Sequence, residues 1–480
     1  MAVPAAAALV TAGLAVRDRF LWIGCLGYAA LFTFLGSIKY AVHRNLVDFG
    51  IFAQTVASAF GCFCNPIEGS HWAFHFSPIL YPVAIVVTLI PSPLTLIALQ
   101  AIAGALVAPP IYALVRARRD VTTARLAALV AWLYPPLAGL IFGDFHENGF
   151  ASAAVAWTLY AFDAGLFGWA LAGAMVTLSI KEDQAVFLAI GGALGAWYYR
   201  GTKGGRVAAT IALLSVAVLA AFSLFIRPHA ALAVHSPWQP WRFYAWSAAD
   251  AGSILAGVAA RLGFLLLIFV PLLFLPFLTR MMWLAVAPLA EVLLSRMPTT
   301  YVVGSHYAGA WIGYVLTAFA FAVRELQPGR QRRALFACTA LCIVELLIAD
   351  PLHPGLNLRR PDARDAALDR FLETLPPDAG VATQEEAYTH LALRDPLARL
   401  LPETPDRSVL ACLLLVDSDF SDSARLQEYG STLDRLVRDR RYGPVARSGR
   451  IVLYRSTERS CASASPARAG QSSPARTIRC

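Results

Sequence analysis

Apolar runs of roughly 15–20 residues recur from Phe20 to Ala349, and no other feature of the sequence constrains the fold as strongly. A run of that length spans the hydrocarbon core of a bilayer as a helix, because only a helix satisfies its backbone polar groups internally there. Composition agrees. The chain of 480 residues is 58% hydrophobic and 15% charged, where a soluble chain carries about 25% charged residues. This predicts an all-α polytopic membrane bundle of about eleven spans. They fall near 20–38, 78–115 (compound), 124–142, 150–163, 166–180, 184–199, 207–227, 261–279, 282–295, 307–323 and 334–350. The net charge of +9 lies largely in short loops between spans, where basic residues set orientation, so it is no nucleic-acid signal.

The basic loops are Arg17-Asp18-Arg19, residues 116–119, 200–206 and 324–333. Placing all four in the cytoplasm fixes the parity of the crossings. It predicts one net crossing within 78–115, where Pro91-Ser92-Pro93 marks a kink or a re-entrant turn. The N-terminus is then cytoplasmic, in the plasma membrane. Segments 39–77, 143–149, 181–183, 228–260 and 296–306 all fall on the extracytoplasmic side, and so does the chain after Ala349. The N-terminal apolar stretch lacks a basic region before it and does not read as a cleaved signal. The eight cysteines show no zinc spacing. Cys62 and Cys64 are too close for an unstrained disulfide, so all eight read as small apolar or incidental thiols.

The outer segments hold nearly all the unusual polar residues. In "HRNLVDFGIFAQTV" (43–56), Leu46, Phe49, Ala53, Val56 and Phe60 share one helical face, and Asn45, Asp48, Gln54, Thr55 and Ser58 share the other. That is the pattern of an interfacial helix, about residues 45–60, with its polar face toward an outer cavity. The plainer reading is that Asn45 caps the helix and Asp48 is a first-turn carboxylate on the helix dipole. "FGDFHENGF" (142–150) brings Asp144, His146 and Glu147 into one turn, a group that can hold a divalent cation or handle a proton, or simply face water. In "SIKEDQ" (179–184), Lys181, Glu182 and Asp183 interrupt an apolar run. Lys181 there either meets an anionic phosphate or pairs with its neighbours. His71 and His75, one turn apart, and the loop carrying Trp238, Trp241 and Arg242 supply weaker candidates for sugar and phosphate contacts. Interfacial aromatics usually anchor a membrane edge instead. His306 and Tyr307 sit at the start of a span.

The ordered motifs "LVDFGIFAQ", "HFSPILYPVAIVVTLIPSPLTLIALQ", "DFHENGF", "KED" and "SHYAG" resemble a family of prokaryotic polytopic membrane proteins of unknown function. Through it the chain resembles, distantly, the GT-C glycosyltransferases, which include the protein O-mannosyltransferases and the lipid A aminoarabinose transferases. The resemblance covers most of residues 20–350. It implies a polyprenyl-phosphate-linked sugar as donor, a membrane lipid environment, and in some members a divalent cation such as Mg or Mn; no cofactor is certain. It matches Asp48 to the catalytic acidic residue of the first outer loop, and Asp144 with Glu147 to the second acidic position. Lys181 resembles a basic residue near the donor phosphate, and His306 a polar group at the cavity rim. His146 and the His71/His75 pair depart from the GT-C pattern, which leaves metal use and acceptor class open. The expected function is an inverting glycosyltransferase. The alternatives are a transporter or lipid and polymer exporter and a non-catalytic scaffold of the same fold.

After Asp350 the composition turns polar. Residues 351–455 read as a small α/β domain: helix 362–375, strand 379–383, helix 384–393, strand 409–417, helix 422–441, then a hairpin to about 455. Residues 456–480 read as a disordered tail. Domain 1–350 is thus the membrane part and 351–455 an extracytoplasmic appendage.

Overall fold

The computed structural model describes residues 18–234, 243–244, 246, 251–376, 380–401, 411–418, 430 and 433–457. Helix α1 (Arg19–Ala41) begins where the Asp18 carboxylate accepts the Phe20 amide at 3.0 Å, so its first turn is capped. Its 23 residues reach roughly 35 Å. At its start, Asp18 also receives Arg125 at 2.8 Å and the Tyr112 hydroxyl at 2.8 Å. Nearby, Arg119 Nε donates to the Arg324 carbonyl at 2.9 Å, and Arg332 pairs with Asp120 at 3.2 Å. The basic segments around 116–125 and 324–332 therefore gather at one end of the bundle, with Asp18. At the far end of α1, Lys39 meets the 142–148 turn.

Among the described residues four helical stretches are long and apolar enough to cross a membrane: Arg19–Ala41, Pro93–Arg116, Lys203–Ala230 and His306–Glu325. Val121–Leu133 and Pro135–Phe142, bent by 48° at their junction, make a fifth if they form one span. The remaining expected spans correspond to shorter helices or to segments broken into single turns, such as Val270–Leu272 and Leu275–Leu278. Pro271 and Pro276 lie in those two turns, and a proline interrupts helical hydrogen bonding wherever it stands past the first turn. Within 78–115 the apolar run divides at Pro91-Ser92-Pro93, with Ser92 capping the Leu94 amide at 3.2 Å.

Four elements frame the polar end. Helix α2 (Val47–Ala57) follows α1 after a short turn, α3 (Pro93–Ala105) carries Gln100, α4 (Ala151–Asp163) leaves the 142–150 segment, and α5 (Gly309–Glu325) follows His306. Helix α5 is buried along almost its whole length, with Trp311 and Phe319 fully enclosed. It approaches α4 at backbone distance. A Cβ on Gly309 would lie 2.2 Å from the Asn148 carbonyl oxygen, and one on Gly313 would lie 2.7 Å from that of Ser152. Small residues four apart are what let two membrane helices meet this closely.

Among its described residues the C-terminal domain holds a five-stranded sheet, with helices that include the following two. Helix α6 is Ala363–Thr374 and α7 is Glu385–Leu391. The strands are β1 (Val381–Thr383), β2 (Arg399–Leu400), β3 (Leu413–Asp417), β4 (Tyr442–Ser448) and β5 (Ile451–Ser456), in spatial order β2-β1-β3-β5-β4. The β1 strand runs parallel to β2 and β3, whereas β5 pairs antiparallel with both β3 and β4. Of the expected helix at 422–441, residues 430 and 433–441 are described, and 430 and 433–438 are helical.

This domain does not hang free. Leu368, Leu372, Tyr388 and Leu391 share one apolar core with Phe49, Phe52, Ala53 and Val56 of α2. Gln54 donates to the carbonyls of Asp395 (3.1 Å) and Ala398 (2.8 Å), and its Oε1 accepts from the Tyr388 hydroxyl. The polar side of α2 at Gln54 thus meets the soluble domain, not an outer cavity. The cysteines also differ from expectation: Cys62 and Cys64 form a disulfide around Phe63, whose φ of +49° lets the backbone turn back on itself, and Cys412 is disulfide-bonded too. Cys25, Cys338 and Cys342 are thiols.

Gly309→Val should therefore force α5 away from the 148–152 backbone and destabilise the fold by about 1–3 kcal/mol, the usual cost of overpacking. A lowered thermal midpoint in detergent micelles is the expected result; an unchanged midpoint would mean that the close approach is dispensable.

Candidate functional site

Helix α2 starts without a side-chain cap of its own. Its first amides are served from another loop: the Asp144 carboxylate accepts the Leu46 amide at 2.8 Å and the Asn45 side-chain amide at 3.1 Å. Asp144 also pairs with Lys39 at 2.8 Å, and the two side chains are only 12% and 8% exposed. All of this engages Asp144 as an anchor between α1, α2 and the 142–148 turn. Asn45 does not cap the helix with its own carbonyl oxygen but acts as a donor to the anchor.

The same turn is held from the other side by Gln100 of α3. Its amide nitrogen donates to the carbonyls of Leu140, Ile141 and Asp144, and its oxygen accepts the His146 amide at 2.9 Å. With Asp144 turned to α1, the next residues face the opposite way. His146 and Glu147 are buried, with His146 Nδ1 3.0 Å from Glu147 Oε2. Phe52 of α2 packs on the His146 ring at a centroid distance of 4.6 Å.

From α2, Asp48 reaches His306, Oδ2 to Nδ1 3.3 Å. The His306 ring stacks on His146 at 4.0 Å and 8°, and Tyr307 lies 4.1 Å beyond. Asp48, His306, His146 and Glu147 thus form one continuous line of groups drawn from three separate segments. Beside them, buried Lys181 lies 5.8 Å from the Tyr307 ring and 4.0 Å from Asp183. Glu182 binds His75 at 2.9 Å and the Phe76 amide at 2.9 Å, which ties the 71–78 segment to the 181–183 turn. His71 is enclosed by Phe52 and Phe63 and pairs with Glu68 at 3.1 Å, a packed position away from open contact. Trp238, Trp241 and Arg242 lie outside the described residues.

Burial alone would raise the Asp48 carboxyl, but the hydrogen bond and charge of His306, with His146 behind it, outweigh burial and hold it at about 2. Asp48 is therefore an anion throughout the physiological range. Burial pushes the His146 imidazole down to about 4 against the pull of Glu147, so the ring is neutral at pH 7. Glu147 is fully buried, and among the described residues its carboxylate has His146 Nδ1 at 3.0 Å as its one basic side-chain contact within 4 Å. A buried carboxylate of that kind is costly unless a cation or a ligand satisfies it. The resemblance allows a divalent cation here. Among the described residues, however, no three ligand atoms of this cluster lie within 4.8 Å of one another, so the side chains do not form a ready metal site.

Sequence reasoning placed Asp48, His146, Glu147, Lys181 and His306 at one face; the structure brings Asp48, His306, His146 and Glu147 into contact, and sets Lys181 5.8 Å from the Tyr307 ring. It did not single out Gln100, Glu68 or Lys39. Lys39 carried a usable signal: the chain has three lysines among 40 basic residues, and two of the three lie at this end.

A helical membrane bundle with a small sheet domain beyond it resembles the GT-C membrane fold. Superposition on known structures agrees. The chain matches the crystal structure of ArnT from Cupriavidus metallidurans bound to undecaprenyl phosphate with a TM-score of 0.56 and 12% identity, over 89% of this chain and 98% of that one. The apo form of the same protein matches with a TM-score of 0.53 and 13% identity over the same shares. Such identities establish likeness of fold alone. In sequence, the chain belongs to the DUF2079 family of predicted membrane proteins, whose model matches residues 43–453. No curated protein matches the sequence.

Asp144→Ala should leave Lys39 buried without its partner and cost about 3 kcal/mol, the low end for breaking a buried pair. The check is the thermal midpoint in detergent micelles. Adding Lys39→Met to that background should recover part of the loss, and no recovery would mean that the pair is not the anchor.

Proposed function

We propose that the protein is a membrane glycosyltransferase that moves a sugar from a polyprenyl-phosphate donor to an extracytoplasmic acceptor in one inverting displacement. The observation that carries this reading is Asp48. It is a carboxylate at the start of a helix packed against the membrane bundle, kept ionised by His306, whose neighbour Tyr307 has the buried cation of Lys181 5.8 Å from its ring. The fold shared with ArnT, whose structure holds undecaprenyl phosphate, suggests the lipid-linked class of donor.

In this reading an acceptor hydroxyl lies against Asp48. As its oxygen attacks the anomeric carbon, Asp48 takes the proton, and the bond from that carbon to the phosphate oxygen breaks. The departing polyprenyl phosphate is an anion, and Lys181 supplies the compensating charge. No covalent intermediate on the enzyme is needed. A carboxyl held at about 2 is a weak base, so the acceptor must loosen the His306 contact for Asp48 to act; His306 is the group that sets its strength. Glu147, neutral His146 and His75 with Glu182 position the surrounding segments and offer polar contacts to a sugar.

Two features support placing this end outside the cytoplasm. The basic segments gather at the other end of the bundle, as cytoplasmic loops do. Disulfides occur in the 62–64 loop and in the soluble domain, and such bonds persist in oxidising compartments.

The test uses purified protein in detergent–lipid micelles with a panel of radiolabelled polyprenyl-phosphate sugars, following loss of label from the lipid. Wild-type turnover should fall roughly 10²–10⁴-fold in Asp48→Asn, the usual worth of a positioned base. Turnover undiminished in that variant would remove Asp48 from the mechanism, and vectorial movement of an intact lipid without cleavage would favour a transporter.

The pH profile gives a separate check. His306 lowers the Asp48 carboxyl, so in wild type Asp48 stays deprotonated down to about pH 2 and sets no acid limb above that. In His306→Gln the lowering is lost while burial still pushes the carboxyl up. An acid limb should then appear at higher pH than in wild type, and an unmoved profile would contradict the pairing.

A further inference from the structure

A second group of ionisable side chains lies where the soluble domain meets the end of the first span, and none of it belongs to the line from Asp48 to Glu147. His43 stands in the turn after α1, Asp369 on α6 and His390 on α7. Each offers one ligand atom, and these atoms lie within 4.8 Å of one another. His43 Nε2 is 3.1 Å from Asp369 Oδ1. Ligand atoms on tetrahedral zinc stand roughly 3.4 Å apart, given bonds of about 2.1 Å, so the group needs to contract by at most about 1.4 Å at its widest.

The surroundings hold one nitrogen of each ring. His43 Nδ1 is 3.4 Å from Asp365 Oδ1, and Asp365 is itself held by Arg359 and by the Asp362 amide at 2.9 Å. That places a carboxylate behind one imidazole nitrogen and leaves Nε2 to bind. His390 Nε2 is 3.1 Å from the Tyr40 carbonyl, which accepts the hydrogen bond that Nε2–H donates and so leaves the lone pair on Nδ1. Metal-binding histidines are regularly backed in these two ways. The two rings stack face to face, with centroids 4.1 Å apart and planes 25° apart, so one ring must turn about its side-chain bonds to bring both lone pairs onto one ion. His43 also has φ of +56°, a left-handed conformation that a non-glycine residue keeps where the surroundings enforce it, often at functional sites. Asp369 is 49% exposed while His43 is buried, which leaves an approach from solvent.

We propose that His43, Asp369 and His390 bind a divalent transition-metal ion of the zinc type, which clasps the soluble domain to the end of α1. Two imidazoles and one carboxylate suit zinc over magnesium or calcium, which prefer all-oxygen sets. The clasp would hold α6 and α7 over α2, the helix that carries Asp48.

The test takes full-length protein in detergent micelles, stripped with a chelator and titrated calorimetrically with Zn²⁺ alone. Wild type should bind one ion per chain and gain thermal stability on binding. Asp369→Asn and His390→Gln should each weaken binding more than about 100-fold, exceeding the loss typical of changes behind the ligands. Glu147→Gln, in the other cluster, should bind zinc as wild type does. Asp369 is half exposed, so its replacement leaves the metal-free fold intact, and the metal-free thermal midpoint checks this for both variants. Absence of stoichiometric binding in wild type, binding that survives both ligand changes, or loss of binding in Glu147→Gln would each overturn the proposal.

Discussion

The Asp144 carboxylate, with Lys39 on one side and the start of α2 on the other, is the contact on which the polar end of the bundle depends. A helix that begins at the edge of a membrane exposes amides that need acceptors, and α2 brings none of its own. A lysine buried at the end of α1 needs an anion. One side chain answers both needs and fixes the distance between α1, α2 and the 142–148 turn. Asp48 stands two residues inside the helix so anchored, which is why its carboxylate can reach His306 from the neighbouring span.

Gln100 completes the same arrangement from α3. By binding four backbone groups of the 140–146 segment, it locks the direction in which successive side chains leave the turn. Asp144 points to the anchor, and Glu147 points into the cluster. The close approach of α5 at Gly309 then brings His306 onto His146. Three polar segments separated by about a hundred residues or more become one site because each is tied to backbone, not to another mobile side chain.

The soluble domain extends this logic. Its helices share an apolar core with α2, and Tyr388, Asp395 and Ala398 meet Gln54. Asp48 is thereby carried on a helix pressed between the membrane bundle and the domain. Any motion of the domain would be felt at the start of α2, which gives an otherwise unassigned appendage a mechanical connection to the site.

The sequence by itself determined the membrane class, the helix around 45–60, the gathering of basic segments away from the polar motifs, and the α/β character of residues 351–455. These follow from hydropathy, periodicity and charge, which are local properties of the chain. Only the tertiary structure decided which carboxylate anchors and which faces the cluster. Asp144 and Glu147 are three residues apart with similar surroundings in sequence, and the choice is made by Lys39 and Gln100 from other helices. It also decided that Gln54 meets the soluble domain, that Cys62 bonds Cys64 through a turn at Phe63, and that His43 meets Asp369 and His390 across more than 300 positions. Such partnerships depend on how separate helices pack, and packing selects among pairings that local pattern leaves equivalent.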